Sequence, residues 1–204
     1  NKDRKLAITI NTYGEDVESV GYKIRSLEDK SLIENTEVSG YQVTDNKINV
    51  TLNIKNLLDT GKEYALEVVL KTKKHDAVYY YTRIMYGTDY DLQKKLDFVR
   101  DFNACTFDSA RLKDIGGYLE TSSVGDNTNY GKVNINCSLS QIGWGDLEPY
   151  IESEITPEII SINDDVAIIR LDYRVGAAND YSSSDTYNVN EYYRIRQTNS
   201  GFYL

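Results

Sequence analysis

One stretch of the chain, residues 89–119 (DYDLQKKLDFVRDFNACTFDSARLKDIGGYL), carries the apolar spacing of helix, and it separates two unlike halves. Leu92, Leu96, Val99 and Phe102 recur at intervals of four and three, with Phe98 widening the stripe, so one helical face is expected to be buried. Lys94, Lys95, Asp97, Arg100 and Asp101 fall mostly on the opposite side. Thr88 is placed to cap the start, with Asp91 in the first turn, where the helix dipole favours an acid. A shorter helix is expected from about Asp108, with Leu112, Ile115 and Leu119 on one face and Gly116-Gly117 as its stop or kink. Two short amphipathic helices cannot bury such faces on each other alone. They need a sheet, and the runs downstream are placed to supply it.

Upstream of this stretch the period is two. Leu6, Ile8 and Ile10 alternate with polar neighbours, as do Val20, Tyr22 and Ile24. The same holds for Ile48, Val50, Leu52 and Ile54, for Tyr64, Leu66, Val68 and Leu70, and for Val78, Tyr80, Thr82, Ile84 and Tyr86. Such alternation buries one face of a strand and wets the other. With weaker runs at residues 31–38 and 41–44 it makes about seven strands. Turn signals separate them: Tyr13-Gly14, Ser39-Gly40, Asp45-Asn46, Asp59-Thr60-Gly61 and His75-Asp76. That spacing predicts an antiparallel sandwich.

Leu58-Asp59-Thr60-Gly61-Lys62-Glu63-Tyr64 resembles the turn into the sixth strand of fibronectin type III modules, where a tyrosine ties back to the preceding corner. The resemblance covers roughly residues 5–87 and implies an immunoglobulin-like β-sandwich, taken as residues 1–87. In it Leu58 precedes the Gly-containing turn, and Tyr64 buries its ring and bonds nearby backbone through its hydroxyl. The family's buried tryptophan on the second strand is missing, and Tyr22 stands where it is expected. Modules of this kind are spacers or adhesive surfaces more often than enzymes.

Downstream, residues 88–204 read as α+β. After the helices come a polar loop at 122–129, a strand at Lys132–Cys137, a tight segment around Trp144, and a short helix or turn within 147–155, ended by Thr156-Pro157. Strands are expected at 158–162, 166–175 and 187–198, with Asp164-Asp165 in a turn and an exposed hairpin tip at 177–185. Ile169, Leu171 and Tyr173 share the face that the helices should cover. This element order resembles the nuclear-transport-factor-2-like fold, with cystatin-like domains as the close alternative. The resemblance implies a curved sheet wrapping a helix into a cone. Some members of that family are isomerases or dehydratases and others are noncatalytic modules, and none of its active-site residues maps onto this chain.

The net charge of -9 belongs to residues 89–204, where 10 Lys and Arg face 19 Asp and Glu; residues 1–88 hold 13 of each. Acidity of that size argues against nucleic acid as a partner and gives no help toward an anionic membrane. No apolar run is long enough to span a membrane. Both ends read as cut, as in a piece of a longer protein whose membrane anchor would lie elsewhere. Cys105 and Cys137 are compatible with one disulfide in an oxidising compartment or with two buried thiols.

The single histidine, His75, sits in a predicted hairpin loop, so a nucleophilic triad and a zinc site both lack their base or ligand. Asp126–Asn129 offers oxygen ligands without calcium-loop spacing. No catalytic residue, metal or cofactor is expected. The candidate ligand contacts are Trp144, set between two glycines, and Tyr79 and Tyr81, which flank Tyr80 and face opposite to it. Tyr80 is expected in the core. The abundance of Tyr, Asn, Asp, Ser and Thr is common in secreted bacterial modules. The expectation is a noncatalytic module of a Gram-positive-type, extracytoplasmic surface protein, with a protein or a cell-wall polysaccharide as partner. A small-ligand sensor, a carbohydrate-binding module and a cone-fold isomerase or hydrolase are the rivals.

Overall fold

The computed structural model describes residues 4–56, 58–87, 89–122, 129–177 and 185–204. The chain divides into two compact units, Asn1–Asp89 and Tyr90–Leu204.

The described part of the first unit is built from strands: β1 (Lys5–Asn11), β2 (Val17–Ser26), β3 (Leu32–Glu37), β4 (Gln42–Thr44), β5 (Lys47–Asn53), β6 (Glu63–Thr72) and β7 (Val78–Met85). They form two antiparallel sheets, ordered β1-β5-β4 and β3-β2-β6-β7. In β5, Ile48, Val50 and Leu52 are buried while Lys47, Asn49, Thr51 and Asn53 are exposed, as the period of two requires. A one-residue slip in the Ile8–Val50 pairing would turn the whole set outward, so burial fixes the register. Val20, Tyr22 and Ile24 of β2 and Leu66 and Leu70 of β6 meet that face in one core. Asp45 and Asn46, at φ 50° and 60°, make the two-residue hairpin between β4 and β5, a conformation their short polar side chains tolerate.

Two polar ties close this core. Tyr64 is buried, and its hydroxyl accepts the Asp59 N–H at 2.8 Å; Gly61, at φ 79°, makes the turn between them. Leu58 is buried beside it. On β3, buried Glu34 accepts the backbone N–H groups of Lys55 (2.9 Å) and Asn56 (3.0 Å), which hold the chain leaving β5. The Tyr22 hydroxyl lies 2.5 Å from Glu34 Oε1 and 2.7 Å from the Asn53 carbonyl.

The second unit contains α1 (Leu92–Thr106), a 3-10 helix (Leu112–Tyr118), α2 (Leu139–Ile142), β8 (Tyr150–Ile151), β9 (Thr156–Ile162), β10 (Val166–Ala177), β11 (Asp185–Thr198) and β12 (Gly201–Tyr203). Its antiparallel sheet runs β12-β11-β10, and β8 and β9 share the other edge of β10. Ala167, Ile169, Leu171 and Tyr173 on β10 stand opposite Ile195, Tyr193, Glu191 and Val189 on β11. Onto this face pack Val99, Phe102 and Cys105 of α1 and Ile115 of the 3-10 helix. The helices lean on the downstream sheet, as their unpaired apolar stripes require.

The structure departs from the sequence reading in several places. Lys95, expected on the wet face of α1, is fully buried. Its ammonium donates to the carbonyls of Asn163 (2.7 Å) and Asp164 (3.1 Å), in the turn between β9 and β10, and these offset its desolvation. Asp91 is the residue before α1, at φ 51°, rather than a member of its first turn. The second helix is 3-10, and Gly116-Gly117 lie inside it instead of stopping it. Residues 132–137 are not a strand: Asn134 takes the Asn136 N–H on its side chain and the Cys137 N–H on its carbonyl, so the segment turns. Within 147–155 the element is the short strand β8, not a helix, and Pro157 lies inside β9 at the sheet edge, where its missing N–H is tolerated. Tyr80 is 49% exposed rather than core, because β7 is the edge of a four-stranded sheet opposed by three strands. Cys105 and Cys137 are free, buried thiols. Thr88 and the stretches 123–128 and 178–184 lie outside the described residues.

Candidate functional site

The outer face of the β3-β2-β6-β7 sheet carries the two predicted tyrosines. Tyr79 stands opposite Val69 and Tyr81 opposite Glu67, two residues apart on β7, so strand geometry puts both rings on one face. The rings lie 6.3 Å apart at 13°, nearly parallel, with 49% and 69% of each residue exposed. Lys23 of β2 sits 5.8 Å from the Tyr79 ring centre and pairs with Glu67 at 2.8 Å. Two flat apolar rings with hydrogen-bonding groups beside them can stack on sugar rings or anchor a protein interface.

Trp144 is elsewhere and differently placed. It follows α2 at φ 70°, and its ring packs against Phe107 (5.4 Å) and, nearly parallel, Tyr130 (6.2 Å). The Tyr130 hydroxyl donates to the Trp144 carbonyl at 2.8 Å, across Gly145, where any side chain would strike that hydroxyl. The indole is therefore clamped instead of open. Its buried N–H has no hydrogen-bond partner among the described residues.

Beside Phe107 lies a cleft of about 350 Å³. Arg100, Asn103 and Ala104 of α1 form one wall; Ile151, Ile155 and Leu171 form the other. Asn103 connects the cleft to a buried polar cluster. Its amide nitrogen donates to the Tyr173 hydroxyl (3.0 Å) and to Glu191 Oε2 (2.9 Å). Tyr173 donates to Glu191 Oε1 at 2.8 Å and Tyr193 to Glu191 Oε2 at 2.7 Å. Burial raises the Glu191 carboxyl above the usual range, against the pull of these donors. Burial, then the neighbouring Glu191 charge, raises both phenols.

Sequence reasoning missed this cluster, although a signal was present. Val189, Glu191, Tyr193 and Ile195 alternate along β11, so Glu191 is a charged residue in the buried phase. The remaining candidates stay apart. His75 is exposed in the β6–β7 loop. Burial pushes the Cys105 and Cys137 thiols up, away from the reactive thiolate. Among the described residues no three His, Cys, Asp or Glu side chains are grouped to hold a metal, and no helix is long and apolar enough to cross a membrane. Most of the run Asp126–Asn129 is outside the described residues. Comparison with protein families and with curated proteins finds no match for this chain.

Proposed function

We propose that the chain is a noncatalytic interaction module of an extracytoplasmic bacterial surface or membrane-anchored protein. In this reading a fibronectin type III-like, immunoglobulin-like sandwich presents a tyrosine-lined face, and an α+β domain of the nuclear-transport-factor-2-like kind follows it. The pair of sheet orders and the bond from Asp59 N–H to the Tyr64 hydroxyl support the sandwich assignment. A long helix laid on an antiparallel sheet supports the second.

The observation that carries the functional reading is the exposed, nearly parallel pair Tyr79 and Tyr81. Their nearly parallel setting on one exposed sheet face suits a cell-wall polysaccharide. A cone-fold isomerase or hydrolase is the weaker reading: both oxygens of Glu191 are taken by protein donors, which leaves its proton-transfer capacity spent on structure.

Affinity electrophoresis in gels containing cell-wall polysaccharide tests the proposal. Retardation of the native chain, reduced about tenfold in affinity by Tyr79→Ala or Tyr81→Ala, is the expected result. Retardation that survives both substitutions sinks it. No retardation, combined with Tyr-dependent capture of a purified surface protein, would move the partner class from sugar to protein.

A further inference from the structure

The cleft in the second unit has the composition of a site for a small anion with an apolar body. Arg100, Asn103, Ala104 and Phe107 follow at intervals of three, one and three, which sets them along one side of α1 and its first following residue. The core is filled by a neighbouring side, through Val99 and Phe102. The cleft-lining side therefore meets Ile151, Ile155 and Leu171 across open space instead of in tight packing. Its volume, about 350 Å³, falls at the lower end of the range for small-molecule sites.

Charge selects the occupant. Arg100 borders this open, apolar cleft from an exposed position on α1, and among the described residues its guanidinium makes no ion pair or hydrogen bond. The acids nearest to it along α1 are already engaged: Asp97 accepts from Gln93 at 2.7 Å, and Asp101 pairs with Arg111 at 2.6 Å. A planar guanidinium beside hydrocarbon matches a carboxylate in two parallel hydrogen bonds, and the apolar walls match whatever carries it. We propose that this cleft binds a small monocarboxylate with an apolar body, its carboxylate on Arg100 and its hydrocarbon against Phe107, Ile151, Ile155 and Leu171.

The chain's single tryptophan is a built-in reporter, since the Trp144 ring lies 5.4 Å from that of Phe107. The full chain is titrated with 3-phenylpropionate, 3-phenylpropanol and 3-phenylpropylamine, followed by Trp144 emission and by titration calorimetry. Saturable binding of the carboxylate, with the alcohol and the amine weaker by about tenfold or more, is the expected pattern. Arg100→Gln should weaken the carboxylate by a similar factor. Ala104→Leu, at an exposed helical position, should do so by filling the cleft. Both positions tolerate substitution without disturbing the core, and an unchanged circular dichroism spectrum verifies the fold. Tyr79→Ala should leave the titration unchanged, which keeps this outcome separate from that of the polysaccharide experiment. Three probes binding alike, binding indifferent to both cleft variants, or no saturable binding would each overturn the proposal.

Discussion

Glu34 and Glu191 are both carboxylates withdrawn from water, and their neighbours make them respond to pH in opposite directions. Burial raises Glu34, but the Asn56 and Lys55 N–H groups and the Tyr22 and Thr36 hydroxyls outweigh it, so its folded pKa lies below the ordinary 4.5. A depressed carboxyl contributes stability that is present above the unfolded value and lost as pH falls through the folded one. Glu191 is raised above 4.5, so its contribution is present below the unfolded value and lost as pH rises through the folded one. Thermal unfolding followed across the acid and neutral range should therefore show Glu34→Gln flattening the acid arm. Glu191→Gln should flatten the decline on the neutral side. The same pairing also pushes Tyr22 up to about 12, burial first and the Glu34 bond second, so that phenol stays protonated across this range. A smaller test at this scale is Tyr64→Phe, which removes one partly buried hydroxyl bond and should cost about 1 kcal/mol in chemical denaturation.

Helix α1 docks on the β10 sheet and the 3-10 helix, and Lys95 shows what its burial requires. A helical stripe of Leu92, Leu96, Val99 and Phe102 was legible because apolar residues announce burial by type. A lysine announces the reverse, and its burial is made tolerable by the carbonyls of Asn163 and Asp164, 68 and 69 residues away, together with the charges of Asp91, Asp164 and Asp165. Lys95→Met keeps the stem and deletes the donor. It should cost roughly 1–3 kcal/mol, because the two turn carbonyls lose a charged partner. Hydrogen exchange should report faster opening in α1 and at the β9–β10 turn, while β1–β7 remain unchanged. The same logic divides the rest of the fold. Five of the first unit's described strands were readable from their own period of two, whereas β3 and β4 showed only as weaker runs, β4 being exposed throughout. Residues 132–137 alternate as well, yet Asn134 spends both its side chain and its carbonyl on a local turn, an option that apolar periodicity does not register. Of the site residues, Tyr79 and Tyr81 follow from parity along one strand. Glu191, Asn103 and Tyr173 come together only through the pairing of β10 with β11 and the docking of α1, contacts that span up to 88 residues of sequence.

At the scale of the whole molecule, the two units have separate cores. The buried residues clustered around Tyr22, Ile48 and Leu66 and those around Val99, Ile169 and Leu171 have no member in common. Cooperativity in unfolding comes from shared burial, so a chain with two disjoint cores is expected to melt in two transitions. Leu66 and Ile169 are each fully buried at the centre of one cluster, which makes them specific probes. Leu66→Ala and Ile169→Ala should each cost about 2–5 kcal/mol through lost burial and the cavity left behind. Differential scanning calorimetry should then show Leu66→Ala lowering one transition and Ile169→Ala the other, with additive effects in the double variant, because the two sites share no neighbour. The bound 3-phenylpropionate should raise only the transition that Ile169→Ala lowers, since a ligand stabilises the unit whose folded form it recognises. A single transition shifted equally by either substitution would mean that the two cores are coupled.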